Sequence, residues 1–497
     1  MLERFDKVTY FGDSLSDDGN YFEILYGYEA PGFQGAVYPG TTFQLGPWGA
    51  MTNDRAHSTY LAELTGARTD NYAVVGATIV GSPILDPANW DLPGPPTDIG
   101  LTAQVGRFAD DPSAGAGPRG AAVFFIGAND IGRIVDRHYD PAALDSFRSS
   151  ARDELETMIA TLVTSVRAAR DAGAEAVFLG TLPSASFFPL FDDYDATLVD
   201  AFDDVVAAFN AALRLAAATL RAQGHDVAIV DYNTICNVMT DDPSSFGVVA
   251  VRQNYLYDGS LATGADQVAF WNALHPAEAY HKAWAAFTAF TLDGGRTHQL
   301  TNGGDSFTDP EEGSAALVAG LAGDDVIRLG DGADIGFGGR GADRIQTEDG
   351  DDIAVGGRGA DLLRGQAGDD ILSGGQGDDI LTGGRGRDVL IDGLGNDTLR
   401  GGADDDVFVY VQASLIGGAG IQAEHFLGGT GQDTLFLLLD SARAAAFEAG
   451  TLELADLGIT TNSIDTVIAI DGQDEETTRK ALAGEWWYGA ADHWGLV

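Results

Sequence analysis

The stretch Phe11-Gly12-Asp13-Ser14-Leu15-Ser16-Asp17-Asp18-Gly19-Asn20 follows a short apolar run, Val8-Thr9-Tyr10-Phe11, that has the pattern of a buried strand. A strand that ends in Gly-Asp-Ser and continues in small polar residues makes a tight strand-to-helix turn. Such a turn lifts the Ser14 hydroxyl clear of the sheet edge, where backbone N–H groups of a helix start help to bind an oxyanion. It is not a Gly-x-Ser-x-Gly elbow, because Ser16 stands where the second glycine would be. Alone it is equally a loop of Gly, Asp and Ser, so its meaning depends on the rest of the chain.

Outward from Ser14, strand and helix signals alternate over the first 290 residues. Helix periodicity runs through Ser58-Thr59-Tyr60-Leu61 and stops at Gly66. Asn71-Tyr72-Ala73-Val74-Val75-Gly76-Ala77-Thr78 reads as strand then turn. Ala121 to Ile126 is a buried strand that ends in Gly127-Ala128-Asn129-Asp130. Leu144, Phe147, Ala151, Leu155, Met158, Leu162 and Val166 recur at helical spacing, as do Val199, Phe202, Val206, Phe209, Leu213 and Leu220. Strands follow at Ala176–Gly180 and Val227–Val230, and a last helix runs from near Pro276 to Phe290. Apolar strands alternating with helices imply a parallel sheet covered on both faces, an α/β architecture with its site at the carboxyl ends of the strands.

Four blocks in order make the region resemble the GDSL, or SGNH, family of serine esterases and lipases. They are Gly12-Asp13-Ser14-Leu15-Ser16-Asp17, Asn71 to Thr78, Gly127-Ala128-Asn129-Asp130, and Phe270-Trp271-Asn272-Ala273-Leu274-His275-Pro276. The resemblance covers residues 5–290 and implies an SGNH-hydrolase three-layer sandwich. It makes Ser14 the nucleophile and His275 the base, with the N–H of Ser14, the N–H of Gly76 and the side-chain amide of Asn129 as oxyanion donors. An ester carbonyl requires those three functions. Of the other histidines, His281 is read as a surface residue. The apolar loop Ser184 to Phe191 lines an acyl groove or packs on the core, and Phe246-Gly247-Val248-Val249 invites the same pair of readings.

One departure concerns the residue three before the histidine, where the family usually has aspartate and this chain has Asn272. An amide orients an imidazole but does not place a full charge beside imidazolium. Three arrangements remain: a Ser14–His275 dyad steered by Asn272 or a backbone carbonyl, a different carboxylate such as Asp266, or a bound anion.

The chain has 497 residues, 75 acidic against 28 basic, for a net charge of −47. That field repels nucleic acid and anionic membranes. It suits either a binder of many divalent cations or a salt-adapted surface. Cys236, the single cysteine, excludes an intrachain disulfide, and its apolar neighbours favour a buried inert thiol. The opening Met1-Leu2-Glu3-Arg4-Phe5 enters the first strand at once, so no N-terminal signal is expected, and no apolar run reaches the ~20 residues of a membrane span.

From Gly320 a repeat of period nine begins. Its sixth position is aspartate in all ten units: Asp325, Asp334, Asp343, Asp352, Asp361, Asp370, Asp379, Asp388, Asp397 and Asp406. Its fourth is glycine except at Asp404, and its eighth is usually aliphatic. Glycines permit positive-φ turns, aspartates supply hard oxygen ligands for calcium, and the aliphatic residue points inward from a short strand. Two units make one coil of a parallel β-roll. The pattern resembles the RTX, haemolysin-type calcium-binding repeats, which implies several structural Ca2+ ions shared between aspartates and loop carbonyls. The departing units begin at Leu329, Thr347 and Gly401; the first has Gly336 at the inward position.

The expected organisation is a hydrolase domain over 1–291, a linker over 292–319, the β-roll over 320–409, and a β-rich C-terminal cap with a secretion-signal region over 410–497. The RTX resemblance implies export by type I secretion machinery from a Gram-negative bacterium. The function this supports is a secreted, calcium-stabilised serine ester hydrolase acting on a small-molecule or lipid ester. The alternative is a calcium-binding surface or adhesion protein whose GDSL domain is weakly active or inactive.

Overall fold

A computed structural model of the chain describes residues 5–12, 57–73, 77–81, 84–85, 97–110, 120–188, 191, 194–241, 250–254, 268–270, 278–311, 313–415 and 420–472. The chain forms two compact units, one of residues 1–236 with 250–293, the other of 237–249 with 294–497.

The first unit is built on a parallel sheet of β1 (Lys7–Gly12), β2 (Arg68–Asn71), β5 (Gly120–Phe125), β6 (Ala176–Gly180) and β7 (Val227–Val230), in the order β2-β1-β5-β6-β7. Two short pairs flank it: β3 (Ile84–Leu85) with β4 (Thr97–Asp98), and β8 (Ala250–Asn254) with β9 (Val268–Phe270). The helices are α1 (His57–Thr65), α2 (Leu101–Asp110), α3 (Ala128–His138), α4 (Leu144–Asp171), α5 (Ala196–Ala222), α6 (Tyr232–Asp241) and α7 (Glu278–Leu292). Successive side chains of a strand point to opposite faces, and β5 shows what lies on each. Phe124 stacks on Phe11, whose ring meets Phe108 of α2 edge-on. Phe125 packs on Tyr232 of α6 and Trp284 of α7. Both faces of the sheet are therefore covered, which is why β5 and β6 are apolar throughout rather than alternating.

The strand expected from Asn71 onward lies earlier, at Arg68–Asn71. This edge strand is polar because only part of it is buried. It stops where the Asn71 side chain accepts the N–H of Ala73, a local turn that competes with the ladder. Helix α5 is long and apolar enough to cross a membrane by length and composition alone. Its stripe of Val205, Phe209, Leu213 and Leu220 is spent on the core of this unit.

The second unit is a roll of two parallel sheets. One contains β10 (Arg296–Gln299), β12 (Ala316–Ala319), β14 (Ile335–Arg340), β16 (Ile353–Arg358), β18 (Ile371–Gln376), β20 (Val389–Leu394), β22 (Val407–Val411), β24 (Thr434–Leu439) and β26 (Thr466–Asp471). The other contains β11 (Ser306–Thr308), β13 (Val326–Arg328), β15 (Arg344–Asp349), β17 (Leu362–Ala367), β19 (Ile380–Arg385), β21 (Thr398–Ala403), β23 (Glu424–Thr430) and β25 (Ile459–Asn462). Consecutive strands alternate between the sheets, so from β12 to β22 each paired residue meets, within its sheet, the one eighteen further on, as in Ile335↔Ile353 and Leu362↔Ile380. The eighth-position side chains Ile327, Ile345, Leu363, Leu372, Leu381, Leu390, Leu399 and Phe408 form the fully buried interior.

The linker expected over 292–319 instead contributes β10, β11 and β12 to the roll. Its Gly-, Asp- and Thr-rich composition is that of the roll's turns, and the apolar run Ala316–Ala319 is an inner strand. Arg296 closes this end with paired bonds to Asp309, at 3.1 Å and 2.6 Å. At Gly336 a side chain would press on Ile345 and Leu329, so Leu329 fills the space that an aliphatic eighth residue fills elsewhere. After β24 a short helix, α8 (Ser441–Glu448), is capped by the Asp440 side chain on the N–H of Arg443.

Candidate functional site

Strand order fixes where a site forms. From β1 the chain moves to β2 on one side of it, then returns to β5 on the other. The order reverses between β1 and β5, and the crevice at the carboxyl ends of such a pair is where α/β sheets bind ligands. Ser14 follows the end of β1 by two residues, and Asn129 follows the end of β5 by four.

The described residues at this crevice form a hydrogen-bonded frame. Gly127 bends the chain out of β5 at φ +130°; a side chain there would press on Ile79, Leu182 and Phe209. Asn129, at the first turn of α3, donates its side-chain N–H to Ala77 O at 3.0 Å. Ala77 is the residue after Gly76, so the Asn129 amide is tied to the segment next to that glycine. An amide nitrogen has two hydrogens, which leaves one to point elsewhere. The carboxylate of Asp130 accepts the N–H groups of Ile79 (2.7 Å) and Val80 (3.0 Å). Burial pushes its pKa up to about 6 against the pull of those two donors. Gln104 of α2, fully buried, holds the end of β1. Its Oε1 accepts Gly12 N at 3.0 Å, and its Nε2 donates to Gly12 O at 2.8 Å and Ile99 O at 3.0 Å. β2 reaches only Tyr10 along β1, so the Gln104 amide supplies the pairing that an adjacent strand no longer gives.

Ser14, Gly76, Asn272 and His275, together with Asp266 and Phe246 to Val249, lie outside the described residues. His281, expected at the surface, is 3% exposed and meets Trp284 edge-on, because α7 turns that face into the core. Cys236 is fully buried and accepts the Trp284 indole N–H at 3.3 Å; burial holds its thiol well above its ordinary pKa, as expected of an inert cysteine. In the loop after β6, Ala185, Phe187 and Phe188 are buried, so these members pack on the core. A groove of about 1000 Å³ is lined by α4 and α5 alone and contains no serine, histidine or cysteine.

In the roll, the ten sixth-position aspartates are each 2% exposed or less. They form two ladders: the N–H of one aspartate donates to Oδ1 of the aspartate eighteen residues on, as Asp325 to Asp343 (2.8 Å) and Asp334 to Asp352 (2.7 Å). Among the described residues the second oxygen of Asp325, Asp343, Asp370, Asp388, Asp397 and Asp406 has no hydrogen-bond partner. Buried carboxylate oxygens without partners are costly. A divalent cation satisfies them, and hard oxygen donors at turn carbonyls suit calcium. Among the described residues no three His, Cys, Asp or Glu side chains form a metal-holding group by themselves. At Thr347, which replaces a first-position glycine, the hydroxyl donates to Gly365 O at 3.0 Å.

The model of the GDSL-like lipase/acylhydrolase family matches residues 8–287, more than half of the chain. The chain belongs to that family. RTX calcium-binding nonapeptide repeats match over residues 317–345, 346–381 and 382–409. A curated relative of this GDSL chain is the thermolabile hemolysin of Vibrio parahaemolyticus serotype O3:K6. It is 24% identical over 304 residues, spanning 56% of this chain and 62% of that protein.

The sequence of this GDSL domain gives no role to Gln104 or Asp130. Asp130 stood in view inside Gly-Ala-Asn-Asp; Gln104 lies in an ordinary amphipathic helix and carried no signal beyond being polar on a buried face. In Gln104→Leu, both backbone groups of Gly12 lose their partners. We expect a loss of about 2–4 kcal/mol in urea unfolding of the first unit and at least a ten-fold fall in kcat on a soluble ester. Unchanged kcat would show that the end of β1 does not need this brace.

Proposed function

We propose that the chain is a secreted carboxylic ester hydrolase of the lipase, phospholipase or esterase type, working by a Ser-His mechanism. The observation that carries this is the position of the Ser14 and Asn129 blocks, just past the two adjacent strands where the strand order reverses. Family membership supports the same reading.

In this mechanism Ser14 Oγ attacks the ester carbonyl as His275 takes its proton, and the oxyanion is met by the N–H groups of Ser14 and Gly76 and the amide of Asn129. His275 returns the proton to the leaving alcohol. Water then attacks the acyl-enzyme by the same route and frees the acid. Asn272 orients His275 through its amide oxygen. The relative's name, a hemolysin, favours a lipidic ester, and the RTX repeats support export by a type I route with calcium encountered outside.

The test is a chain-length series of nitrophenyl esters, run with calcium, together with a fluorophosphonate probe located by peptide mass spectrometry. Labelling at Ser14 and turnover that rises with acyl length are expected. A folded protein with neither turnover nor label favours the second reading, a calcium-binding surface protein with an inactive domain, to which Asn272 points. A further variant checks the orienting residue. Asn272→Asp is expected to keep the rate or raise it a few-fold; a loss above ten-fold in the folded variant excludes Asn272 as the residue that steers His275.

A further inference from the structure

The matched repeats end at residue 409, yet both ladders of carboxylates continue past it. The N–H of Asp397 donates to Glu424 Oε2 at 2.9 Å, and the N–H of Asp406 donates to Asp433 Oδ1 at 3.1 Å. The separation is 27 residues in each case, one coil of eighteen plus one nonapeptide. Asp433 in turn donates its N–H to Asp465 Oδ2 at 3.0 Å. Residues 428–433 read Gly-Gly-Thr-Gly-Gln-Asp, with Leu435 at the eighth place, which is the nonapeptide pattern in full and still in the phase that began at Gly320.

The backbone there repeats the geometry of the matched units. Gly429 and Gly431 have φ of +117° and +146°, and a side chain on either would meet the carbonyls of Gly402 and Asp404, as Gly339 and Gly341 meet those of Leu321 and Gly323. A methyl group on Gly428 would collide with Asp433 Oδ2 and with a carbonyl of the next coil, the same pair of oxygens that crowd Gly338 and Gly356. Here that carbonyl belongs to Ser463, a non-glycine residue held at φ +58° in the turn before β26. Asp433 is 1% exposed, and its Oδ2 has no hydrogen-bond partner among the described residues.

We propose that Asp433, the turn Gly428–Asp433 and the carbonyl of Ser463 form an additional calcium site beyond the matched repeats, and that this site fastens the terminal strands β25 and β26 to the roll. The proposal rests on the calcium reading of the repeats. It extends that reading to a place where one side of the site comes from a segment with no repeat of its own. Calcium at this point bridges residues 428–433 to 463–465, so the end of the roll closes only when the ion is bound.

The experiment uses the full chain. Calcium bound per chain is measured by atomic emission after equilibrium dialysis, and amide exchange is followed by mass spectrometry, for the unaltered protein, Asp433→Asn and Gly428→Ala. The expected result is one ion fewer in each variant, with exchange at 459–471 rising at least ten-fold while 335–394 keeps its protection. An unchanged ion count in both variants overturns the proposal and leaves the calcium reading of the repeats intact. Loss of all ions with exposure of the whole roll overturns it as a local site. An unaltered protein that binds no calcium overturns both.

Discussion

Replacing Ser14 by alanine is expected to lower kcat/KM for a nitrophenyl ester by about 10 000-fold or more. The size follows from what is removed: without the Oγ there is no acyl-enzyme, and only binding and the oxyanion donors remain to help water. His275→Ala is expected to cost about as much, and the double variant little more, because the two act as one unit. Asn129→Ala removes a single donor and should cost about 100- to 1000-fold. Some of that cost is positional, since Asn129 also anchors Ala77. Steady-state kinetics on the four proteins, each shown by circular dichroism to be folded and by emission to bind its usual calcium, decides the matter. Activity that survives Ser14→Ala within ten-fold would falsify the serine mechanism.

Removal of calcium is the second large effect. At pH 8 with a chelator, the strands from β13 to β26 are expected to lose their amide protection and the far-ultraviolet strand signal, while the parallel sheet of the first unit keeps its protection. The reason is a balance of buried charge. Burial, with a further push from neighbouring carboxylates, raises Asp343, Asp370 and Asp406 to about 7 and Asp352, Asp388 and Asp397 to about 8, despite the N–H bond each accepts. A carboxyl raised above its unfolded value favours the folded state when protonated, and that contribution fades as pH rises from about 4 through the folded pKa. The metal-free roll is thus held best by acid and becomes least stable from about pH 7 to 8 upward. With calcium the sign reverses, because cations compete with protons for the same oxygens. Each ion present at a hundred times its Kd adds about 2.7 kcal/mol. Circular dichroism from pH 5 to 9, with and without calcium, should give curves of opposite slope. Parallel curves would mean that these aspartates do not hold the metal.

The sequence showed most of the roll because each of its requirements is local and repeated. A positive-φ turn needs glycine, a ladder oxygen needs aspartate, and an interior place needs an aliphatic side chain, so ten units record the same rule. The first coil carries no such record because its sixth positions are Phe307 and Ala316 rather than aspartate. The turn at Gly428 escaped notice because the nonapeptide before it carries Glu424 in place of aspartate, and the one before that has Leu415. In the first unit the buried strands and long helices were plain from periodicity. The short polar strand β2, one exposed and three half-buried residues on an edge, has no pattern to read. The blocks of the candidate site were legible as motifs, but their frame was not. Gln104 acts on Gly12 across 92 residues, and Asp130 acts on Ile79 across 51. Contacts of that kind are made by the fold and leave no spacing in the chain.

The eighteen-residue register of the roll also sets how this molecule can change its length. Removal of two adjacent nonapeptides takes out one coil and lets its neighbours meet with every ladder bond and every interior side chain in place. Removal of a single nonapeptide sends each later strand to the opposite sheet and exchanges the two ladders. The chain shows how an odd unit is tolerated: nine additional residues stand between β22 and β23, and the strands on either side still pair as though they were absent, Val407↔Thr434 and Thr398↔His425. Growth and loss in this region are therefore expected in steps of two units, with odd steps confined to places where the surplus can leave the wall of the roll.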